Sequence, residues 1–317
     1  MTASTISSRE DIALSHLLGY LGAQNYRFIT TTPVSHAHVL ARHGGKTGAT
    51  LRDVFGWNLA FDPGLLPPQT LSLLDEAGLL EPVGNYRRSK VRVSSIDDAL
   101  FLHSAFPTEQ EDAVFFGPDT YRFIRFMRQA LENAPPLPGA RILDIGCGSG
   151  AGGLMLSKQC PRADLMLNDI NPLALRYAAL NAHASALKAQ LALGDSLAAV
   201  QGNFDLIIAN PPYMVDKDAR TYRHGGDGLG SSLSLSMAMQ SLPRLKPGGC
   251  LLLYTGVAIV DSRDGFLEEL TPALNSAGYS WRYEEIDPDV FGEELTQPAY
   301  QKVDRIAAVG LVARAPS

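Results

Sequence analysis

The chain has 317 residues, 45% of them hydrophobic and 19% charged, with a formal net charge of −6. This is globular composition, enough for one large domain or two modest ones; it excludes a surface that binds polyanions as a whole, so any basic face must be local. Three cysteines (Cys147, Cys160, Cys250) lack disulfide or metal spacing, the opening MTASTISSRE has no signal-peptide core, and no apolar run is long enough to span a bilayer, which together predict a cytoplasmic protein with no membrane partner.

The front part, residues 1–108, opens with DIALSHLLGYLGAQ, where Ile12, Leu14, Leu17, Leu18 and Leu21 follow helical spacing. After Gly45 and Gly48, LRDVFGWNLAF reads as a second apolar helix; His36, His38 and His43, which have no metal-spaced partners, read as loop and turn residues. PPQTLSLLDEAGLL is a helix opened by Pro67 and Pro68 and stopped by Gly78. Past Gly84 the period changes to two, at Val91 and Val93 and again at Leu100 and Leu102. Helices followed by two short strands predict a helical, winged-helix-like domain. Its RRSKVR cluster (Arg87–Arg92) reads equally as a solvated wing or a phosphate contact, because residues 1–110 hold nine basic and ten acidic groups.

From residue 109 to 317 the pattern is strand–helix alternation. YRFIRFMRQAL is a helix and RILDIG a buried strand; GGLMLSKQC, DLMLND, LALRYAALNAHAS, LALGD, FDLIIAN, SSLSLSMAMQSLPRL and CLLLYTG continue the series. Alternation of this length predicts a Rossmann-like α/β domain, a parallel sheet covered on both faces. YSWRYEEI and RIAAVGLVAR then follow as strands with no helix between them, suited to antiparallel pairing at the sheet edge. Their long connection, 288–304, lies where it can cover a substrate.

The chemistry-bearing residues fall at the ends of the strands. LDIGCGSGAGG (Leu143–Gly153) sits at a strand-to-helix turn, with Gly146, Gly148 and Gly150 allowing close backbone approach to a ligand. Such loops serve many nucleotides, but Asp144 suits a bound ammonium better than a pyrophosphate, and there is no P-loop lysine; S-adenosylmethionine and a dinucleotide both remain open at this point. Cys147 fits the loop by its small size. Asp169 in LNDINP, about twenty residues on, can accept both ribose hydroxyls, with Ile170 beside it. Asp195 and the neighbouring Ser196 in GDSL can read an adenine edge. IIANPPY then gives Asn210, Pro211, Pro212 and Tyr213. The two prolines stiffen the loop and remove two backbone donors. The Asn210 amide oxygen and Pro211 carbonyl can hold an –NH2 group and aim its lone pair at a methyl, and Tyr213 can stack on a planar substrate.

At these residues the chain resembles the class I methyltransferases with an NPPY motif, the methyltransferase small domain, and among them the release-factor glutamine methyltransferases. The resemblance covers about 115–255 and includes GPDTY (Gly117–Tyr121) and YRHGGDGLG (Tyr222–Gly230). It implies S-adenosylmethionine as cofactor, a seven-stranded sheet with an antiparallel last strand, and a pocket bordered by Phe116, Pro118, Asp119 and Thr120. It does not extend to the front part, whose strand-rich segment 84–104 differs from the small helical domain of those enzymes.

The expected function is transfer of a methyl group to a planar or amide nitrogen of a protein side chain or small molecule, held between the two domains. The alternatives are methylation of an RNA or DNA base amino group, which the overall charge does not favour, and a non-catalytic cofactor-binding DNA regulator, which would not need an aimed nitrogen site.

Overall fold

The computed structural model describes residues 8–108, 110–160, 162–216, 220 and 222–317, and the side chain of Ser196 lies outside the described residues. The second part forms the expected Rossmann-like sheet. Its parallel strands are β5 (Arg141–Ile145), β6 (Asp164–Asp169), β7 (Gln190–Leu193), β8 (Phe204–Ala209) and β9 (Leu245–Val260); β11 (Ser280–Asp287) and β12 (Arg305–Arg314) complete the order β11-β12-β9-β8-β5-β6-β7. β12 runs antiparallel to both β9 and β11, and a two-residue β10 (Arg263–Asp264) adds to the edge of β9.

The alternation of each strand divides two cores. Ile142, Leu167, Ile208 and Leu252 face α5 (Pro118–Leu131), α6 (Ala151–Ser157) and α7 (Pro172–Ala184). Leu143, Ile207, Leu251 and Val309 face α8 (Ser232–Ser241) and α9 (Gly265–Ser276). Burial on both faces is why the central strands read as continuous apolar runs.

The front part packs α1 (Arg9–Ala23), α3 (Leu51–Phe55) and α4 (Pro68–Glu76) with two hairpins, β1 (Leu80–Val83) with β2 (Tyr86–Ser89) and β3 (Val91–Ile96) with β4 (Ala99–Ser104). There are thus two strand pairs where one was expected. Ile12 lies on the exposed side of α1, whose buried face is Ala13, Leu14, Leu17, Leu18 and Leu21. The helix expected across LRDVFGWNLAF stops at Phe55: a Cβ on Gly56 would lie 2.3 Å from the Phe28 ring, so that residue is held by close packing.

The histidines expected in loops are instead on α2 (Pro33–His43), a helix with one buried residue, His36. Its imidazole Nε2 bonds the Trp57 carbonyl at 3.0 Å and its ring stacks on Phe106. Within RRSKVR, Arg87 and Arg88 pair with Asp75 and Glu81, and Arg92 is buried with Nε donating to the Gly56 carbonyl.

The two parts share a core. Ala174, Tyr177 and Leu180 of α7 join the front cluster of Leu14, Leu17 and Leu102, while Leu175 and Ala178 face the sheet. The buried Asn181 joins them again: its Oδ1 accepts from Leu102 N at 2.8 Å and its Nδ2 donates to the Ser149 carbonyl at 2.9 Å, in the glycine loop. Arg176 reaches Glu10 and Asp11 on α1.

Candidate active site

The C-terminal ends of β5, β6, β7 and β8 open onto a pocket of about 390 Å³. This is the rim where open α/β sheets bind ligands. After β5 the chain turns through Gly146 (φ 64°) and Gly148 (φ 53°), left-handed conformations that side chains rarely adopt. A Cβ on Gly148 would meet no atom within 4 Å, and Gly148 lines the pocket, so the bare backbone leaves room for a ligand there.

Asp144, Asp169 and Asp195 all line this pocket. Asp169 is fixed by two backbone donors, Gly148 N to one carboxylate oxygen at 2.8 Å and Asn171 N to the other at 2.9 Å. A carboxylate has about four acceptor sites, so capacity remains for ligand hydroxyls. Burial pushes the Asp169 carboxyl up, against the pull of those backbone bonds. Burial likewise raises Asp144 to about 7, opposed by the bond it accepts from Gly153 N at 2.7 Å and assisted by the charge of Asp169. The Cys147 thiol is pushed well up by burial and then by Asp169 and Asp144, so it stays protonated and is no nucleophile.

Among the described residues the basic groups of the lining are Arg223 and His224, and Arg223 is paired with Glu294. An acidic lining with no lysine among the described residues suits a cationic sulfonium and ammonium with ribose hydroxyls, and is a poor host for a pyrophosphate. One further buried acceptor faces this region: Asn168 directs Nδ2 to the Ala192 and Gly194 carbonyls, and its Oδ1 has no hydrogen-bond partner.

The NPPY loop leaves β8 at Asn210, whose side-chain amide is engaged by none of the described residues. Tyr213 is placed differently from the expected stacking residue. It is buried, its hydroxyl donates to Asp119, and its ring lies against Gly256, where a Cβ would sit 2.2 Å from it. Asp119 also accepts from Tyr254 at 2.8 Å and Arg122 at 3.0 Å, so it anchors the loop from the start of α5. The aromatic lining residues include Phe115, Tyr222 and Phe291; the Phe115 and Tyr222 rings are nearly parallel, at 5° and 6.3 Å between centroids. Loop 222–230 is joined to the NPPY loop through Met214 N to Arg223 O and Gly225 N to Met214 O. The connection 288–304 reaches the same place, with Tyr300 Oη accepting from Val215 N at 2.8 Å.

The pocket therefore brings together Asp119, Thr120, Asp144, Gly146, Cys147, Gly148, Asp169, Ile170, Asp195, Asn210, Pro211, Pro212 and Tyr213. Three expected residues stand behind it. Phe116 stacks on His103 in the core, Pro118 opens α5, and Gly150 caps α6 against Ala178 and Leu154. Of the adjacent pair Phe115–Phe116 it is the first that lines the pocket. The sequence reading missed Asn168, Phe115, Met237 and Phe291; Asn168 had a readable signal, a polar residue directly after the apolar run Leu165–Leu167 and beside Asp169.

A family model described as the methyltransferase small domain matches residues 124–255. A release factor glutamine methyltransferase of Deinococcus radiodurans is 34% identical over 177 residues, covering 52% of this chain and 59% of that protein. One from Rhodospirillum rubrum is 33% identical over 230 residues, covering 67% of this chain and 69% of that protein. A ribosomal RNA small subunit methyltransferase C of Hahella chejuensis is 38% identical over 123 residues, covering 39% of this chain and 33% of that protein. The chain thus spans less than two thirds of the Deinococcus and Hahella proteins.

Proposed function

Because the chain belongs to the methyltransferase small-domain family of class I S-adenosylmethionine-dependent methyltransferases, we propose that it methylates a planar –NH2 nitrogen held at the Asn210–Pro211 edge of the pocket. The cofactor is S-adenosylmethionine, which supplies a methyl group already activated on a positively charged sulfur. Asp169 would accept the ribose hydroxyls, Asp195 and the Ser196 amide would read the adenine edge, and Asp144 would face the cationic end. The acidic lining and the open space above Gly148 support that fit.

The observation that carries the reading is the unengaged Asn210 amide at the pocket, beside a proline carbonyl and held by a stiff loop. An –NH2 group bonded to both acceptors is aimed for in-line attack. Its lone pair becomes more available as the nitrogen turns tetrahedral, and fixed acceptors favour that change without a side chain first removing the proton. On the first reading the acceptor is a protein side-chain amide, since two of the relatives are named for glutamine methylation. The site would lie between the front part and the sheet, because residues 113–115, on the segment joining them, line the pocket. A cytoplasmic location belongs to the same reading; no helix among the described residues is long and apolar enough to cross a membrane.

A second reading, a base amino group of RNA, is favoured by the parallel Phe115 and Tyr222 rings and by the Hahella relative. Incubation with methyl-labelled cofactor and fractionated cell extract decides between them: label in protein supports the first, label in RNA the second. Label in neither fraction overturns both acceptor classes, and label on carbon or oxygen overturns the nitrogen assignment.

A further inference from the structure

The net charge of −6 conceals a segregation. From Ile12 to Arg52 the chain has no Asp or Glu, yet it holds Arg27, Arg42, Lys46 and Arg52 and four of the seven histidines. The centre of this stretch is α2, whose buried surface is His36 alone; His38 and Arg42 are exposed, one helical turn apart, and Lys46 is exposed just past the Gly44 cap. Arg87 and Arg88 are neutralised by Asp75 and Glu81, and Arg92 is buried under the Gly56 carbonyl, so neither group offers a comparable free cationic face. Arg42 and Lys46 form no ion pair among the described residues. Basic residues in a last helical turn also complement the helix dipole. That accounts for Arg42 and His43, but for neither Lys46 nor the absence of acid over the whole stretch.

The helix is also joined to the acceptor end of the pocket. His36 stacks on Phe106 with ring centroids 4.0 Å apart, and two residues later the Thr108 carbonyl accepts the Tyr222 hydroxyl at 2.6 Å. Tyr222 lines the pocket.

We infer that the exposed basic face of α2 docks the phosphate backbone of a single-stranded RNA whose unpaired base enters the pocket. This rests on the second reading above and supplies what that reading lacks, a surface for the rest of the nucleic acid. A base amino group can reach the Asn210 edge only from an unpaired nucleotide, and its neighbouring phosphates then need cations near the mouth. Arg42 and Lys46, at the end of the helix that Phe106 and Thr108 tie to Tyr222, offer such cations without first breaking an ion pair.

The test is fluorescence anisotropy of the full chain with a labelled single-stranded RNA of about 20 nucleotides, across a salt titration, for the wild type and R42Q/K46Q. Neutral glutamines keep helix propensity, and circular dichroism checks that α2 persists. Losing two phosphate contacts should lower the slope of log affinity against log salt by about 1.4 and weaken binding by about tenfold or more at moderate salt. R87Q/R88Q, whose charges are already paired, should bind as the wild type does. Equal binding by R42Q/K46Q, loss confined to R87Q/R88Q, or tighter binding to DNA of the same sequence each overturns the surface. Nitrogen methylation is read separately, by methyl transfer in Asn210 variants, so one can fail while the other stands.

Discussion

The hydroxyl of Tyr213 donates to the carboxylate of Asp119, which lies 94 positions earlier in the chain. Tyr254 and Arg122 donate to the same carboxylate, so one buried anion fixes the NPPY loop, β9 and α5 together. Burial and the adjoining Asp119 charge push the Tyr213 phenol well above its ordinary range, so it is a donor and not a base. Tyr213→Phe should lower stability by about 1–3 kcal/mol, the usual cost of leaving a buried acceptor short of a partner, with kcat reduced less than Tm suggests. Asp119→Leu strands the two buried phenol donors, Tyr213 and Tyr254, and leaves Arg122 with Asp287, so at about 1–3 kcal/mol per stranded donor it should destabilise more than Tyr213→Phe, by about 2–6 kcal/mol. Thermal melts of both variants check the order; a Tyr213→Phe protein as damaged as Asp119→Leu would mean that the hub is misassigned.

Asn210→Ala should reduce methyl transfer by on the order of a hundred- to a thousand-fold, as loss of one preorganised polar partner does, with little change in cofactor affinity. Asn210→Asp keeps an acceptor oxygen and should retain more activity than alanine. Single-turnover transfer with calorimetry of the cofactor separates the two effects. Normal turnover by Asn210→Ala removes the nitrogen-aiming role.

Asp169→Ala should weaken S-adenosylmethionine binding by roughly 1.5–3 kcal/mol, the value of hydrogen bonds to a charged acceptor. The same change frees Gly148 N and Asn171 N, so the glycine loop should also exchange its amide hydrogens faster. Unchanged affinity by calorimetry would remove this residue from the ribose site.

A pH dependence follows from Asp144, which burial raises to about 7 in the folded chain, against about 3.9 for a free aspartate. The folded state holds this proton more tightly than the unfolded state. The stabilisation is therefore fully present below about pH 4 and is lost as pH rises through about 7. The cofactor-free protein should melt lower at pH 8 than at pH 6, and Asp144→Asn should flatten the difference. A cationic ligand favours the ionised carboxylate, so S-adenosylmethionine should bind more tightly as pH rises and release a proton near pH 7. Calorimetry in buffers of different ionisation enthalpy reads that proton; no release would show that Asp144 is already ionised.

The sheet was legible because β5, β6 and β8 are buried on both faces and end in the residues that line the pocket. The helix α2 was not, since a helix that buries only His36 carries no apolar stripe for periodicity to find. α9 was missed as well: Phe266, Leu270 and Leu274 keep helical spacing, but Pro272 interrupts the sequence as a helix breaker would. Asn210 could be singled out because its neighbours in sequence are its neighbours in the loop. The role of Tyr213 could not, because its partner comes from the start of α5, and only the folded chain brings the two together.

Helix α7 is packed on two sides, and solvent reaches chiefly the stripe of Pro172, Arg176, Ala179 and His183. Leu175 and Ala178 close the sheet, Tyr177 and Leu180 close the front core, and Asn181 bonds to both the front hairpin and the glycine loop. The front part is for that reason not an interchangeable cassette. A chimera that grafts another enzyme's front end at residue 108 would inherit an α7 surface shaped for the original one, and the mismatch would reach the cofactor through the Ser149 carbonyl. If the front part selects the acceptor as proposed, altering exposed faces such as that of α2, or exchanging the front part together with α7, should change substrate range where exchanging the front part alone would not.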